Sequence, residues 1–185
     1  MWMGGSDQEL VGQMLDGGEE AFAELYRRHQ GPVFRFALHM TGCVPVAEDV
    51  TQEVFLVLMV HTRRFDVSRG TVRSFLFGIA RNHVMRRLEQ ERGAHQEPED
   101  FDPADDSDAL EEFTRRQTIE DVRRAVLSLP QVYREAVALC DLEDATYEEA
   151  AGILECPVGT VRSRLNRGRR MLARKLAPLA EARTV

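Results

Sequence analysis

Residues 146–172 read TYEEAAGILECPVGTVRSRLNRGRRML, and the spacing inside this stretch decides what kind of fold the chain builds. Thr146 and Glu149 are spaced as a capping box. In that motif the hydroxyl accepts from a backbone N–H of the first helical turn, while the carboxylate reaches back to the cap. A short helix is expected over 146–154. Glu155-Cys156-Pro157 closes it, and a proline is tolerated in the first turn of the next helix, where its missing N–H would have no intrahelical partner. That second helix is expected over 158–176. At helical spacing Val158, Val161, Leu165, Leu172 and Leu176 share one face, with Gly168 at its margin permitting close packing. Gly159, Thr160, Ser163, Asn166, Arg167, Arg170 and Arg174 gather on the opposite face. Two helices across a three-residue turn form a helix-turn-helix pattern. A recognition helix needs this polarity: small polar residues near its start to reach base edges, and arginines to neutralise phosphates and read guanine. The arginines alone would equally suit a solvated basic face.

Working outward, the chain has 185 residues, 43% hydrophobic and 30% charged, an ordinary globular composition. Its net charge of −7 hides a strong asymmetry. Segment 25–92 holds eleven basic and six acidic residues, and 161–185 eight and one. Segment 93–113 between them has no basic and nine acidic residues, with two prolines. Such a segment cannot bury enough apolar surface to offset its ordering entropy and is expected to be a flexible linker. The expected organisation is therefore a helical domain over 1–92, an acidic linker over 93–113 and a second helical domain over 114–185. Apolar spacing is helical nearly throughout, so the expected class is all-α. Further helices are expected over 6–15, 19–41, 45–63, 71–92, 110–128 and 131–142, with Gly31-Pro32 kinking or interrupting the second.

Several function classes are disfavoured. The longest apolar run, Val54 to Val60, is far short of the roughly 18 residues of a membrane span. The N-terminus lacks the basic start and apolar stretch of a signal peptide, so a cytoplasmic location is expected. Cys43, Cys140 and Cys156 show no CxxC spacing and read as buried thiols, a redox pair of Cys140 and Cys156 being the alternative. The histidines form no metal-binding pair, and no nucleophile–base pair or phosphate loop suggests an enzyme. No metal and no cofactor are expected.

Two N-terminal stretches carry further signals. In AEDVTQEVFLVLMVHTRRFD (47–66), Asp49, Gln52 and Glu53 form one helical stripe, while Val46, Val50, Val54 and Val57 form another toward the core. An acidic stripe beside Leu56 suits a basic helical partner with an apolar centre. A solvated face fits the same spacing. Carboxylate metal ligands fit poorly without an ExxH partner. In RGTVRSFLFGIARNHVMRRLEQER (69–92), Val72, Phe75, Leu76, Ile79 and His83 point one way. Ser74, Phe77, Gly78, Arg81 and Met85 point the other, with Asn82 flanking. An exposed aromatic among arginines and an amide suits single-stranded DNA, where bases stack on planar groups. Alternatively Phe77 packs against the first helices.

Residues 146–172, with LSLPQVYREAVAL (127–139) ahead of them, resemble region 4 of the extracytoplasmic-function (ECF, group IV) sigma factors of the sigma-70 family. Residues 47–66 resemble region 2.2, and 69–92 regions 2.3 and 2.4, with Met59 and Phe75 where relatives usually carry tryptophan. The resemblance implies a factor that binds core RNA polymerase and directs promoter-specific initiation under a cognate anti-sigma factor. It implies that Asp49, Gln52, Glu53 and Leu56 meet the clamp coiled coil of the largest polymerase subunit, the flap being a second contact. It assigns the minus-10 element to Ser68, Arg69, Arg73, Phe77, Arg81 and Asn82. It assigns the minus-35 element to Gly159, Thr160, Arg162, Ser163, Asn166, Arg167 and Arg170, with Tyr147 and Glu148 supporting. A LuxR-type regulator, whose helix-turn-helix also holds a GTV turn, is the alternative. So is a protein-binding adaptor without DNA contact.

Overall fold

A computed structural model describes residues 5–62, 65, 70–91 and 109–181. Among them are eight α-helices and no strand, as the apolar spacing requires. The helices are α1 (Asp7–Leu15), α2 (Glu19–Thr41), α3 (Val44–His61), α4 (Val72–Glu91), α5 (Ala109–Leu127), α6 (Gln131–Val137), α7 (Tyr147–Ile153) and α8 (Val158–Glu181). A π-helical turn (Ala138–Leu142) continues α6. The start of α5 lies within the segment expected as linker; residues 92–108 lie outside the described ones.

Local chemistry accounts for most boundaries. Ser6 and Glu9 cap α1 reciprocally, and Thr146 and Glu149 do the same for α7. Gly42 closes α2 in the left-handed region at φ 74°. A Cβ there would also sit 2.8 Å from Leu127 Cδ1, so glycine is required twice over. In contrast to the interruption expected at Gly31-Pro32, α2 runs through Pro32. Val33, Phe36 and Ala37 directly after it are fully buried, and that packing outweighs the lost backbone hydrogen bond. Residues 138–142, expected as plain α-helix, widen into the π-turn, where Glu143 N–H donates to Ala138 O at 3.0 Å.

The two halves that the sequence separates are packed together. α4 lies against α7, and α2 against α5, α6 and the π-turn. Buried apolar side chains form one contiguous cluster from Leu10 through Phe36, Phe77 and Leu139 to Leu165. Among the described residues, ion pairs of Arg35 and Arg81 cross the seam. Arg35 grips Glu143 with Nε at 3.1 Å and Nη2 at 2.9 Å, and Arg81 Nε donates to Glu135 Oε1 at 3.0 Å. Both carboxylates are buried, with side chains 1% and 2% exposed.

Candidate nucleic-acid and polymerase interfaces

The helix-turn-helix carries its polar face outward. Val161 and Leu165 are buried, and this anchors α8 with its opposite side in solvent. Gly159, Arg162, Ser163, Asn166, Arg167 and Arg170 are all exposed, and Thr160 is half-buried. Gly168 meets α6 so closely that a Cβ would approach Val137 Cγ2 to 2.8 Å. The turn comprises Leu154 to Pro157, one residue more than expected, and Glu155 takes φ 51° within it. Several face residues are held in place. Arg162 lies over the Tyr147 ring at 5.6 Å, a cation–π contact. Arg167 Nη1 donates to Tyr133 Oη at 3.4 Å, and Arg170 Nε to Asn166 Oδ1 at 3.0 Å. On the flank, Arg169 Nη2 donates to Asp141 Oδ1 at 2.6 Å and ties α8 to the π-turn. Glu148 is exposed beside Tyr147 on the first helix of the motif.

α4 is different, and here the sequence expectation needs correcting. Phe77 was open to two readings, an exposed base-stacking ring among the minus-10 contacts or a ring packed against the first helices, and the second holds: it is 2% exposed and packs edge-to-face on Phe36 with ring centroids 5.4 Å apart. The buried stripe of α4 is Val72, Leu76, Phe77, Ala80 and Val84, rotated from the one expected, because α2 and α3 both pack on this helix. Phe75 and Ile79 are only half-buried and line a cleft against α7. Arg73 lies over the Phe77 ring at 5.3 Å. Asn82 is exposed at the cleft wall, while Arg81 is committed to Glu135. Ser68 and Arg69 lie outside the described residues.

The α3 stripe is open. Asp49, Gln52 and Glu53 are exposed, and Asp49 Oδ2 accepts a 3.4 Å contact from Arg87 Nη2. Next to them Leu56, Met59 and Val60 are 50%, 54% and 68% exposed, which makes the apolar centre larger than Leu56 alone. Sequence reasoning passed over Arg35, Glu135 and Glu143. An acid at 135 on the same helical stripe as Ala138 and Leu139 was the available signal. Burial pushes both glutamates above the usual carboxylate range, against the pull of their arginines. Cys140 and Cys156 are free and pack against the core. Burial pushes the Cys140 thiol up to about 11, leaving it protonated and a poor nucleophile at neutral pH. Among the described residues no helix is long and apolar enough to cross a membrane, and no group of side chains could hold a metal ion.

A helical bundle with an exposed acidic and apolar stripe, followed by a helix-turn-helix with an exposed cationic face, has the build of a DNA-binding transcription protein. Residues 25–94 match Sigma-70 region 2, and residues 119–172 match Sigma-70, region 4. The chain is 34% identical to the ECF RNA polymerase sigma factor SigE of Mycolicibacterium smegmatis, over 95% of this chain and 71% of that one. It is 31% identical to the ECF RNA polymerase sigma-E factor of Escherichia coli K12, over 94% and 96%. Its fold matches the sigma factor RpoE of Bartonella quintana, solved with the anti-sigma factor NepR, at a TM-score of 0.70 and 24% identity, covering 84% and 96%. The chain belongs to the extracytoplasmic-function sigma factors of the sigma-70 family. It binds core RNA polymerase and directs promoter-specific transcription initiation. A LuxR-type regulator would have no counterpart for the region 2 match, and that alternative falls.

Proposed function

We propose how this sigma factor divides its surfaces. Asp49, Gln52, Glu53 and Leu56, extended by Met59 and Val60, dock on the clamp coiled coil of core polymerase. The exposed face of α8, with Tyr147 and Glu148, reads the minus-35 element. Arg73, Arg81 and Asn82, with Ser68 and Arg69 ahead of them in the sequence, contact the minus-10 element. The division into 1–92 and 114–185 around the acidic segment follows these tasks. The chain works in the cytoplasm, performs no chemistry of its own, needs no cofactor and is held by a cognate anti-sigma factor, as the RpoE of Bartonella quintana is by NepR.

The observation that carries this reading is the pairing of two exposed faces of opposite chemistry. One is acidic with an apolar centre on α3; the other is cationic on α8. The test is a double reversal, Asp49→Lys with Glu53→Lys. Both side chains are exposed, so the thermal midpoint should stay where it is, while capture by core polymerase and run-off transcription are lost. Undiminished capture would remove the α3 stripe from the interface.

A further inference from the structure

We propose that Tyr133 is a positioning residue for promoter specificity: its hydroxyl, presented from α6, holds Arg167 in the pose from which α8 reads a base. This role rests on the reading of Arg167 as a minus-35 contact. The placement starts from Gly168. A Cβ there would approach Val137 Cγ2 to 2.8 Å and stand 3.4 and 3.5 Å from the carbonyl oxygen and Cβ of Tyr133. With no side chain at 168, α8 lies directly on the backbone of α6. Arg167 comes one residue earlier, about 100° around the helix, and so stands at the edge of that contact. From there its Nη1 donates to Tyr133 Oη at 3.4 Å while the arginine as a whole stays exposed. Tyr133 is itself firmly placed. Its N–H donates to Pro130 O at 2.9 Å, and the adjacent Arg134 donates to Met40 O at 2.6 Å and Leu129 O at 3.1 Å. Ala136 and Val137, a turn further on, are buried.

The chemistry of the partner matters as much as its place. Tyr133 is neutral, and so are the groups that hold the other arginines of this face. The Tyr147 ring lies under Arg162 at 5.6 Å, and Asn166 Oδ1 accepts from Arg170 at 3.0 Å. A neutral acceptor orients a guanidinium yet leaves its charge and its remaining N–H donors for guanine O6 and N7. Ordering the side chain before DNA arrives also lowers the entropy lost on binding. Arg169, on the same helix, shows the opposite arrangement. It grips Asp141 through Nε and Nη2, so its charge is matched within the protein and the side chain serves as a tie. At 3.4 Å the Tyr133 contact is long for a hydrogen bond, which lets Arg167 swing into the groove without first breaking a strong pair. A phenylalanine at 133 would fill the same space beside Gly168; the hydroxyl is what reaches Arg167.

The test uses holoenzyme assembled from the full chain and core polymerase, with a library of DNA duplexes randomised over the upstream element. Sequencing bound against input DNA gives the base preference at each position. Tyr133→Phe, Arg167→Ala and the double variant are compared with the unaltered chain. Arg167→Ala should lose preference at one position. Tyr133→Phe should weaken preference at that same position about two- to tenfold, the range that one neutral hydrogen bond spans. In the Arg167→Ala background it should change nothing further. The thermal midpoint of Tyr133→Phe should match that of the unaltered chain, because the ring and its packing stay. Unchanged preference in Tyr133→Phe, where Arg167→Ala shows its loss, overturns the positioning role. So does a uniform drop in affinity that persists in the Arg167→Ala background, which would make Tyr133 a phosphate contact or a packing residue. Failure of the underlying reading looks different: Arg167→Ala then leaves every preference intact, which removes Arg167 from base reading and Tyr133 with it.

Discussion

α8 and α4 are both arginine-bearing amphipathic helices, and the sequence marks both as DNA-facing. Yet α8 presents its polar side to solvent, whereas α4 turns part of its polar side, Arg81 above all, to the other half of the molecule. The difference lies in where the neighbours sit, because α8 also packs on three helices, α5, α6 and α7. One apolar stripe of α8, centred on Val161 and Leu165, satisfies its packing, so the remaining surface is free by default. α4 packs on α2 and α3 through its buried stripe and meets α7 across the cleft lined by Ser74, Phe75, Gly78, Ile79 and Asn82, so a second face of the helix is turned to a neighbour as well. Amphipathicity tells which side of a helix is apolar; it does not tell how many sides are covered.

The contrast can be broken most forcefully at Phe77. As a buried ring against Phe36, its replacement by alanine should cost about 3–5 kcal/mol of folding stability, read from denaturant midpoints. A base-stacking ring on the surface would instead leave the midpoint unmoved and weaken only DNA binding. A smaller effect, also on the covered side, follows from His39. Burial first, then the charges of Arg123 and Arg35, hold its pKa down to about 4. The unfolded chain takes up this proton near pH 6.5 and the folded one only near 4. Stability conferred by the neutral ring is therefore whole above pH 6.5 and lost progressively as the pH falls toward 4, by up to about 3 kcal/mol. His39→Gln should flatten that part of the profile of thermal midpoint against pH. Parallel profiles for the two proteins would place His39 in solvent.

On the open side the effects are smaller and fall on binding. Arg167→Ala or Arg162→Ala should cost about 1–3 kcal/mol of promoter affinity and relax preference at one base position. Arg170→Ala, further along α8, should weaken all sequences alike and lower the salt dependence by about one counterion. Binding to single-base variants of the upstream element at several salt concentrations measures both. Base preference that shifts with Arg170 and not with Arg167 would mean that α8 enters the groove in another orientation.

Much of the molecule was legible before any coordinates. Capping pairs, the glycine stop at Gly42 and helical spacing act within a few residues, and the helices fall within a residue or two of where these signals place them. Exceptions are the far end of α8, which runs on past the expected end at 176, and that of α6, whose α-helix stops at Val137 where the π-turn takes over up to the expected end at 142. The polar faces of α3 and α8 were legible for the same reason: each needs only one buried stripe. Other features depend on partners far away in the chain. The rotation of the buried stripe in α4, the burial of Phe77, the passage of α2 through Pro32 and the π-turn before Glu143 all follow from packing between elements.

By itself, then, the sequence determined an all-α chain with a capped helix-turn-helix, an acidic stripe and a cationic face, because periodicity and capping are local and each residue carries its own share of the signal. Only the tertiary structure decided that Arg81 and Arg35 answer to Glu135 and Glu143. Those partners stand 54 and 108 residues away, and nothing within a helical turn of either arginine names the carboxylate that will meet it. An ion pair across a seam is a property of how two finished surfaces fit, and that fit exists only once both halves have folded.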